Sequence, residues 1–348
     1  MAQQRKQNGI QARNQNGKDG EIELIQGIRA RAARLGSTGL RLGIGDDCAL
    51  LRLRPGEELA VTTDLSIDGR HFRLDWHTPE SIGHRTLARG LSDLAAMGAR
   101  PVAAFLSLGL PTELTRSRRN QKPWVERFYD GLLALAEAHQ TPLAGGDLAQ
   151  SPLALADIVL VGAVQRGQAL LRSGARVGDL IYVTGQLGGS ALGLALLAQN
   201  PGQALHAAWA QRQEMILAPH LYPQPRIAQG RALAGRKLAS AAMDLSDGLS
   251  IDLPRLCAES GVAAEIEAEA LPIFPGATLA QALDGGEDYE LLFTAPPGAK
   301  LPRALAGIPL TRIGRIVPVR KGRPTVTLVG QDGSKRPLEP GGWEHFAR

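Results

Sequence analysis

The chain has little cysteine. Cys48 and Cys257 are its only two, and their spacing fits neither a disulfide framework nor a zinc site. Both read as buried small hydrophobes in a reducing cytoplasm. An N-terminal apolar segment is missing, and no apolar run approaches the roughly 18 residues needed to span a bilayer, which argues against secretion and membrane spanning. No Gly-Lys-Ser/Thr closes a phosphate-binding loop, no kinase catalytic loop appears, and there is no zincin helix or Gly-x-Ser-x-Gly elbow. Gly43-Ile-Gly45 lacks the third glycine of a dinucleotide fingerprint, so a nicotinamide enzyme is a weak reading.

The basic balance is also thinner than the net charge of +5 suggests. Arg5, Lys6, Arg13 and Lys18 stand against Asp19 alone in residues 1–20, leaving the rest of the chain close to neutral. A nucleic-acid partner is not expected. Those first 20 residues, rich in Gln, Asn, Gly and Lys, read as a disordered leader.

What is present points to an α/β protein. With 348 residues the chain is long for one core, and short apolar runs alternate with helical patterns. Structure is expected to begin near Glu21. A shift to polar residues around Gln165 to Gln168 marks a domain boundary, giving parts 21–165 and 166–348. Thr78 as N-cap, Pro79 and Glu80 in the first turn and Gly98 as stop define one helix, with Leu87, Leu91 and Leu94 as its buried stripe. A second helix is expected over Trp124 to His139, a strand over Asp179 to Gly185, and a helix over Ala191 to Gln199.

The aspartates carry the chemistry. Apolar runs end in carboxylates at Asp64, Asp147 and Asp244, while Asp46 and Asp47 share a glycine-rich turn. Carboxyl ends of strands are where open α/β sheets place their sites. Hydroxyls at Thr62, Thr63 and Ser246 stand nearby without His or Cys partners, a donor set suited to a hard cation such as Mg²⁺. The plainer alternative is that Asp-Gly pairs are turn formers.

Taken in order, Gly43-Ile-Gly-Asp-Asp-Cys-Ala-Leu, Thr62-Thr-Asp, His71-Phe72, Leu91-Ser-Asp-Leu-Ala-Ala-Met-Gly98, Gly145-Gly-Asp, Arg172-Ser-Gly-Ala, Asp244-Leu-Ser-Asp-Gly and Gly286-Glu-Asp-Tyr-Glu resemble the thiamine-monophosphate kinase family. That family belongs to the aminoimidazole ribonucleotide synthetase-like superfamily, and the likeness runs from about residue 21 to Phe346. It implies a two-domain α/β (α+β) fold with mixed sheets covered by helices, and a cytoplasmic homodimer built through its N-terminal domains. The implied reaction is ATP-dependent phosphorylation of thiamine monophosphate to thiamine diphosphate, the last step of thiamine diphosphate biosynthesis. Carried over by position, the resemblance implies several Mg²⁺ ions held by Asp47, Thr62, Thr63, Asp64, Asp93, Asp147, Asp244 and Asp247. ATP would meet Gly146, Asp147, Arg172 and Ser246, and thiamine monophosphate would meet His71, Glu287 and Trp343. Catalysis would rest on Asp47, Asp93, Asp147, Arg172 and Asp247. Selenophosphate synthetase, a relative in that superfamily, would want a reactive Cys earlier than Cys48.

Two polyanions repel, so cations are the direct remedy in phosphoryl transfer between phosphates. The acceptor monoester is already ionised near neutral pH, its second pKa being ~6, so no strong base is needed. Direct in-line transfer is therefore expected, with Trp343 stacking on a substrate ring.

Overall fold

The computed structural model describes residues 22–35, 39–117 and 122–342. The leader at 1–20 and Trp343 lie outside the described residues. The first part of the chain runs α1 (residues 22–32), β1 (Leu40–Leu42), β2 (Leu50–Leu51), β3 (Glu57–Ile67), α2 (Pro79–Ala96), β4 (Arg100–Leu110), α3 (Trp124–Ala138), β5 (Leu143–Gln150) and β6 (Leu155–Gln165). Strands β3-β6-β4-β5 form a four-stranded sheet in that order, antiparallel except where β4 meets β5. The edges are therefore β3 and β5.

The second part runs β7 (Leu180–Thr184), α4 (Gly189–Gln199), α5 (Ala207–Arg212), α6 (Glu214–Leu221), α7 (Ile227–Gly235), β8 (Ala241–Asp244), α8 (Leu249–Ser260) and β9 (Ala263–Glu267). It ends with α9 (Leu279–Asp284), β10 (Leu291–Ala295), β11 (Ala304–Leu305), β12 (Ile308–Val317), β13 (Val326–Val329) and β14 (Lys335–Pro337). Its sheet has the order β14-β13-β9-β12-β7-β10-β8, with β11 paired to β12 and only β13 and β9 parallel. Both halves are thus mixed sheets with helices against them.

The element that organises the molecule is α2. The Thr78 hydroxyl accepts the Ser81 N–H at 3.2 Å, Pro79 opens the first turn, and Glu80 lies at the positive end of the helix dipole. Leu87, Leu91 and Leu94 are fully buried as the spacing predicts. The helix is buried well beyond one stripe, because it lies between the two sheets. On one side it packs on Ile158 and Leu160 of β6, and on the other the same apolar core continues through Leu233, Leu291 and Phe293. Against α3 it approaches backbone to backbone. A Cβ added at Gly83 would lie 1.9 Å from the Phe128 carbonyl oxygen, and one at Gly131 would lie 1.9 Å from that of Glu80.

Two expectations need correction. Asp64 and Asp147 do not end their strands. Alternation continues through Leu65-Ser66-Ile67, so β3 pairs with β6 as far as Leu155, and β5 continues to Gln150 beside β4. Cys257 is buried as expected, but Cys48 is exposed, because it sits in the turn after Asp46 and Asp47 rather than in a core. Among the described residues no helix is long and apolar enough to cross a membrane.

Candidate active site

A cavity of about 630 Å³ opens between α2, the Leu245-to-Gly248 turn and the Gly285-to-Tyr289 loop. Asp64, Asp93, Asp244, Ser246 and Asp247 line it, and so do His71 and Glu287. Four of the expected metal ligands and three of the expected nucleotide and substrate residues therefore share one cleft. Gly341 and Gly342, the last described residues before Trp343, form part of the same wall.

Each carboxylate is set by a different element. Asp64 points from edge strand β3 toward α2, where the Arg89 guanidinium donates to it at 3.3 Å. Asp93, one turn along the helix from Arg89, accepts a hydrogen bond from the Thr62 hydroxyl. Asp244 is buried at the last position of β8 and accepts from the Ser92 hydroxyl at 2.8 Å. Asp247 follows in a turn whose N–H groups at Ser246, Asp247 and Gly248 all donate to one oxygen of Asp252, at 3.1, 3.0 and 3.2 Å. Arg255 pairs with Asp247 at 2.5 Å and with Asp252 at 3.1 Å.

The electrostatics of this group are unfavourable as it stands. Burial, then the charges of Asp244 and Asp64, push the Asp93 carboxyl up to about 7. Burial also raises Asp244 to about 6, against the lowering effect of the Ser92 hydrogen bond, and raises Asp64 against the nearby Arg89. Arg172, exposed in the turn Arg172–Gly174, lowers both Asp93 and Asp244 by its charge. Oxygen donors forced together in a partly dry cleft fit a divalent cation. Among the described residues no three His, Cys, Asp or Glu side chains form a ready-made cage. Mg²⁺ commonly takes one or two carboxylates and completes its shell with waters and phosphates, so its fit here rests on the oxygen donors that line the cleft.

The remaining expected residues lie elsewhere. Asp47, Gly146 and Asp147 line a second cavity of about 480 Å³, beside Asp46, Cys48 and Tyr129. The separation follows from sheet order. Asp147 is on edge strand β5 and Asp64 on the opposite edge β3, three strand spacings or about 14 Å apart. Asp147 also shares a face with Ser107, Asp157 and Leu65, the face opposite to that of Asp64. Thr63 points to this outer face too, while Thr62 and Asp64 point to α2. In a single copy, then, Asp47 and Asp247 do not converge on one cavity. Gly146 adopts φ +147°, and a Cβ there would lie 1.9 Å from the Leu106 carbonyl oxygen, so only glycine closes this strand edge.

The substrate-side residues are firmly held. His71 Nδ1 accepts the Ile67 N–H at 3.1 Å. Glu287 pairs with Arg85 at 2.7 Å and Arg89 at 3.6 Å. Burial acts to raise the Glu287 carboxyl, but the two arginines outweigh it and hold it below the usual range. Beside it, Asp288 accepts the N–H groups of Gly188 and Ser190 at the start of α4, at 2.6 and 3.1 Å.

Arg85, Ser92, Asp252 and Arg255 were not singled out from sequence. Ser92 had a visible cue as the neighbour of Asp93, and Asp252 as an acid in the first turn of a helix. Arg85 had none beyond its place on one helix with Arg89 and Asp93.

Residues 45–164 match the model for the AIR synthase related protein N-terminal domain, and residues 176–327 match that for the C-terminal domain. Thiamine-monophosphate kinase from Escherichia coli O157:H7 is 41% identical over 343 residues, covering 94% of this chain and 98% of that protein. The enzyme of that name from Bacillus subtilis is 33% identical, covering 94% and 99%. A crystal structure of thiamine-monophosphate kinase from Stenotrophomonas maltophilia K279a superposes with a TM-score of 0.75 at 40% identity, covering 89% of this chain and 96% of that one. AaThiL complexed with AMPPCP and TMP gives 0.71 at 33% identity, covering 85% and 89%.

Proposed function

The chain belongs to the thiamine-monophosphate kinase family, and from that premise we propose its chemistry: transfer of the γ-phosphate of ATP to thiamine monophosphate, giving ADP and thiamine diphosphate. The observation that carries the reading is the meeting of Asp64, Asp93, Asp244 and Asp247 with Ser246, His71 and Glu287 in one cleft.

We assign the acidic end of the cleft to the phosphates and the His71–Glu287 end to the thiamine rings. Asp64, Asp93, Asp244 and Asp247 would hold Mg²⁺, with Thr62 at their side. A cation held there would supply positive charge to offset the repulsion between the phosphates. Arg172 adds fixed positive charge beside Asp93 and Asp244, and Ser246 contacts ATP. No group in the cleft is asked to remove a proton, because the acceptor oxygen is ionised near neutral pH (second pKa ~6). Transfer is direct and in line, without a phosphoenzyme. Trp343, next in sequence to Gly342, is assigned to stack on a substrate ring.

Asp47, Gly146 and Asp147 enter the reading through a second copy of the chain. The outer face of the first sheet leaves Leu59, Val61 and Leu65 exposed along β3, an unusual surface for a strand that faces water. A homodimer that packs these faces and sets the β5 edge of one copy beside the β3 edge of its partner would bring one copy's Asp47–Asp147 cavity to the other's acidic cleft. On this reading residues 21–165 carry dimerisation and much of the nucleotide site, and 166–348 complete the cleft. We read the enzyme as cytoplasmic, with no nucleic-acid or membrane partner.

The test is product analysis with ATP, Mg²⁺ and thiamine monophosphate. Equal amounts of ADP and thiamine diphosphate, lost with EDTA, support the reading. ATP consumed without thiamine diphosphate overturns the assigned acceptor.

A further inference from the structure

Arg85 lies beneath the cleft, 4% exposed, at the centre of a polar network in an otherwise apolar helix contact. One of its terminal nitrogens donates to Glu287 at 2.7 Å and to the His71 carbonyl at 3.2 Å. The other donates to the His220 carbonyl and faces His220 Nδ1 at 3.2 Å. One guanidinium thus ties α2 to the segment after β3, to the end of α6 and to the loop before β10.

Its neighbours leave that charge nowhere else to go. His77 Nε2 and His220 Nε2 are 3.1 Å apart, and Ser190 Oγ is 3.0 Å from His220 Nδ1. Burial and then the Arg85 charge hold His77 down at about 3 and His220 well below its ordinary value, so both rings are neutral. With Arg85 donating to Nδ1, His220 carries its proton on Nε2 toward His77, whose Nδ1 lies 3.2 Å from both the N–H and the carbonyl of Arg73. Glu287 is therefore the one carboxylate paired with the Arg85 guanidinium among the described residues. It also needs holding. Its φ is +63° and that of Tyr289 is +51°, a strained conformation for residues with side chains.

We propose that Arg85 is a positioning residue that locks His71 and Glu287, which come from separate segments of the chain, into one recognition unit for the thiamine end of the substrate. The proposal rests on the assignment of that end of the cleft to thiamine monophosphate. Arg85 does not touch the phosphates, so its loss acts on one substrate only. The fork shape matters as well as the charge, because a single ammonium cannot keep Glu287, the His71 carbonyl and the His220 carbonyl together.

The experiment is steady-state kinetics with each substrate varied in turn, on wild type, Arg85→Gln and Arg85→Lys. Arg85→Gln is expected to raise KM for thiamine monophosphate about tenfold or more, with KM for ATP and kcat within about twofold. Arg85→Lys, which restores the charge, is expected to recover most but not all of that loss. If Arg85→Gln is insoluble, Arg85→Lys alone carries the test, with a rise of about threefold or more in KM for thiamine monophosphate expected while KM for ATP and kcat stay within about twofold. Parallel rises in both KM values, or a fall in kcat with KM for thiamine monophosphate unchanged, overturn the positioning role. A wild type that turns over no thiamine monophosphate overturns the functional assignment, and the proposal with it.

Discussion

Ser92 of α2 donates a 2.8 Å hydrogen bond to Asp244, the last residue of β8, and so joins the helix that covers the first sheet to a carboxylate of the second. The bond stabilises the ionised form of a buried acid that burial alone would protonate. Ser92→Ala removes the donor and leaves Asp244 oriented by packing only. The expected result is a loss of Mg²⁺ affinity of about 10- to 100-fold, the usual scale for a group that orients a ligand. Activity titrated against Mg²⁺ measures it, and an unchanged titration curve would remove Asp244 from the cation site.

The placement of Asp147 and Asp93 on opposite sides of the sheet predicts complementation. Asp147→Asn and Asp93→Asn should each abolish activity as pure homodimers. Mixed and allowed to exchange subunits, they should recover part of the wild-type rate, since one site in each heterodimer would be free of either substitution. Recovery after mixing supports a site shared between copies. Persistent inactivity in verified heterodimers argues that each chain closes over its own phosphates.

Asp93 and Asp244 make the stabilising effect of Mg²⁺ depend on pH. Their folded pKa values, about 7 and about 6, lie above the ordinary carboxylate value. The stability contribution of such groups is fully present at low pH and is lost as pH rises through those values. Above pH 7 the carboxylates repel one another, and a bound cation has most to relieve. The rise in Tm on adding Mg²⁺ should be larger at pH 8 than at pH 5.5. Thermal melts with and without EDTA at the two values check this, and an equal shift would mean that these acids do not meet the cation.

Gly83 tests the helix contact. An alanine methyl would be driven into the Phe128 carbonyl and force α2 away from α3. Gly83→Ala should destabilise the protein by about 1–3 kcal/mol, the range for overpacking, and should also lower activity because Arg85, Arg89 and Asp93 ride on the same helix. Urea unfolding together with kinetics tests both parts.

Local signals made much of this legible. The cap at Thr78, the proline after it and the leucine stripe define α2 without any tertiary information. Asp244 and Asp247 stand out because a short apolar run stops at a turn. The likeness in sequence supplied the roles. What stayed hidden depends on neighbours far along the chain. The continuation of β3 past Asp64 requires β6 as partner, and the assignment of Asp64 and Asp147 to opposite edges requires the strand order. Arg85 looked like any helical arginine, since its partners Glu287 and His220 lie 202 and 135 residues away.

The burial of α2 between two sheets has a consequence for motion. Its backbone amides can exchange with solvent only through an opening large enough to part the sheets, which places the helix among the slowest segments to exchange. This helix is therefore the stator of the molecule. Admission of ATP and release of product must come from what is hung on it: the Asp46–Asp47 turn and the segment around Arg70.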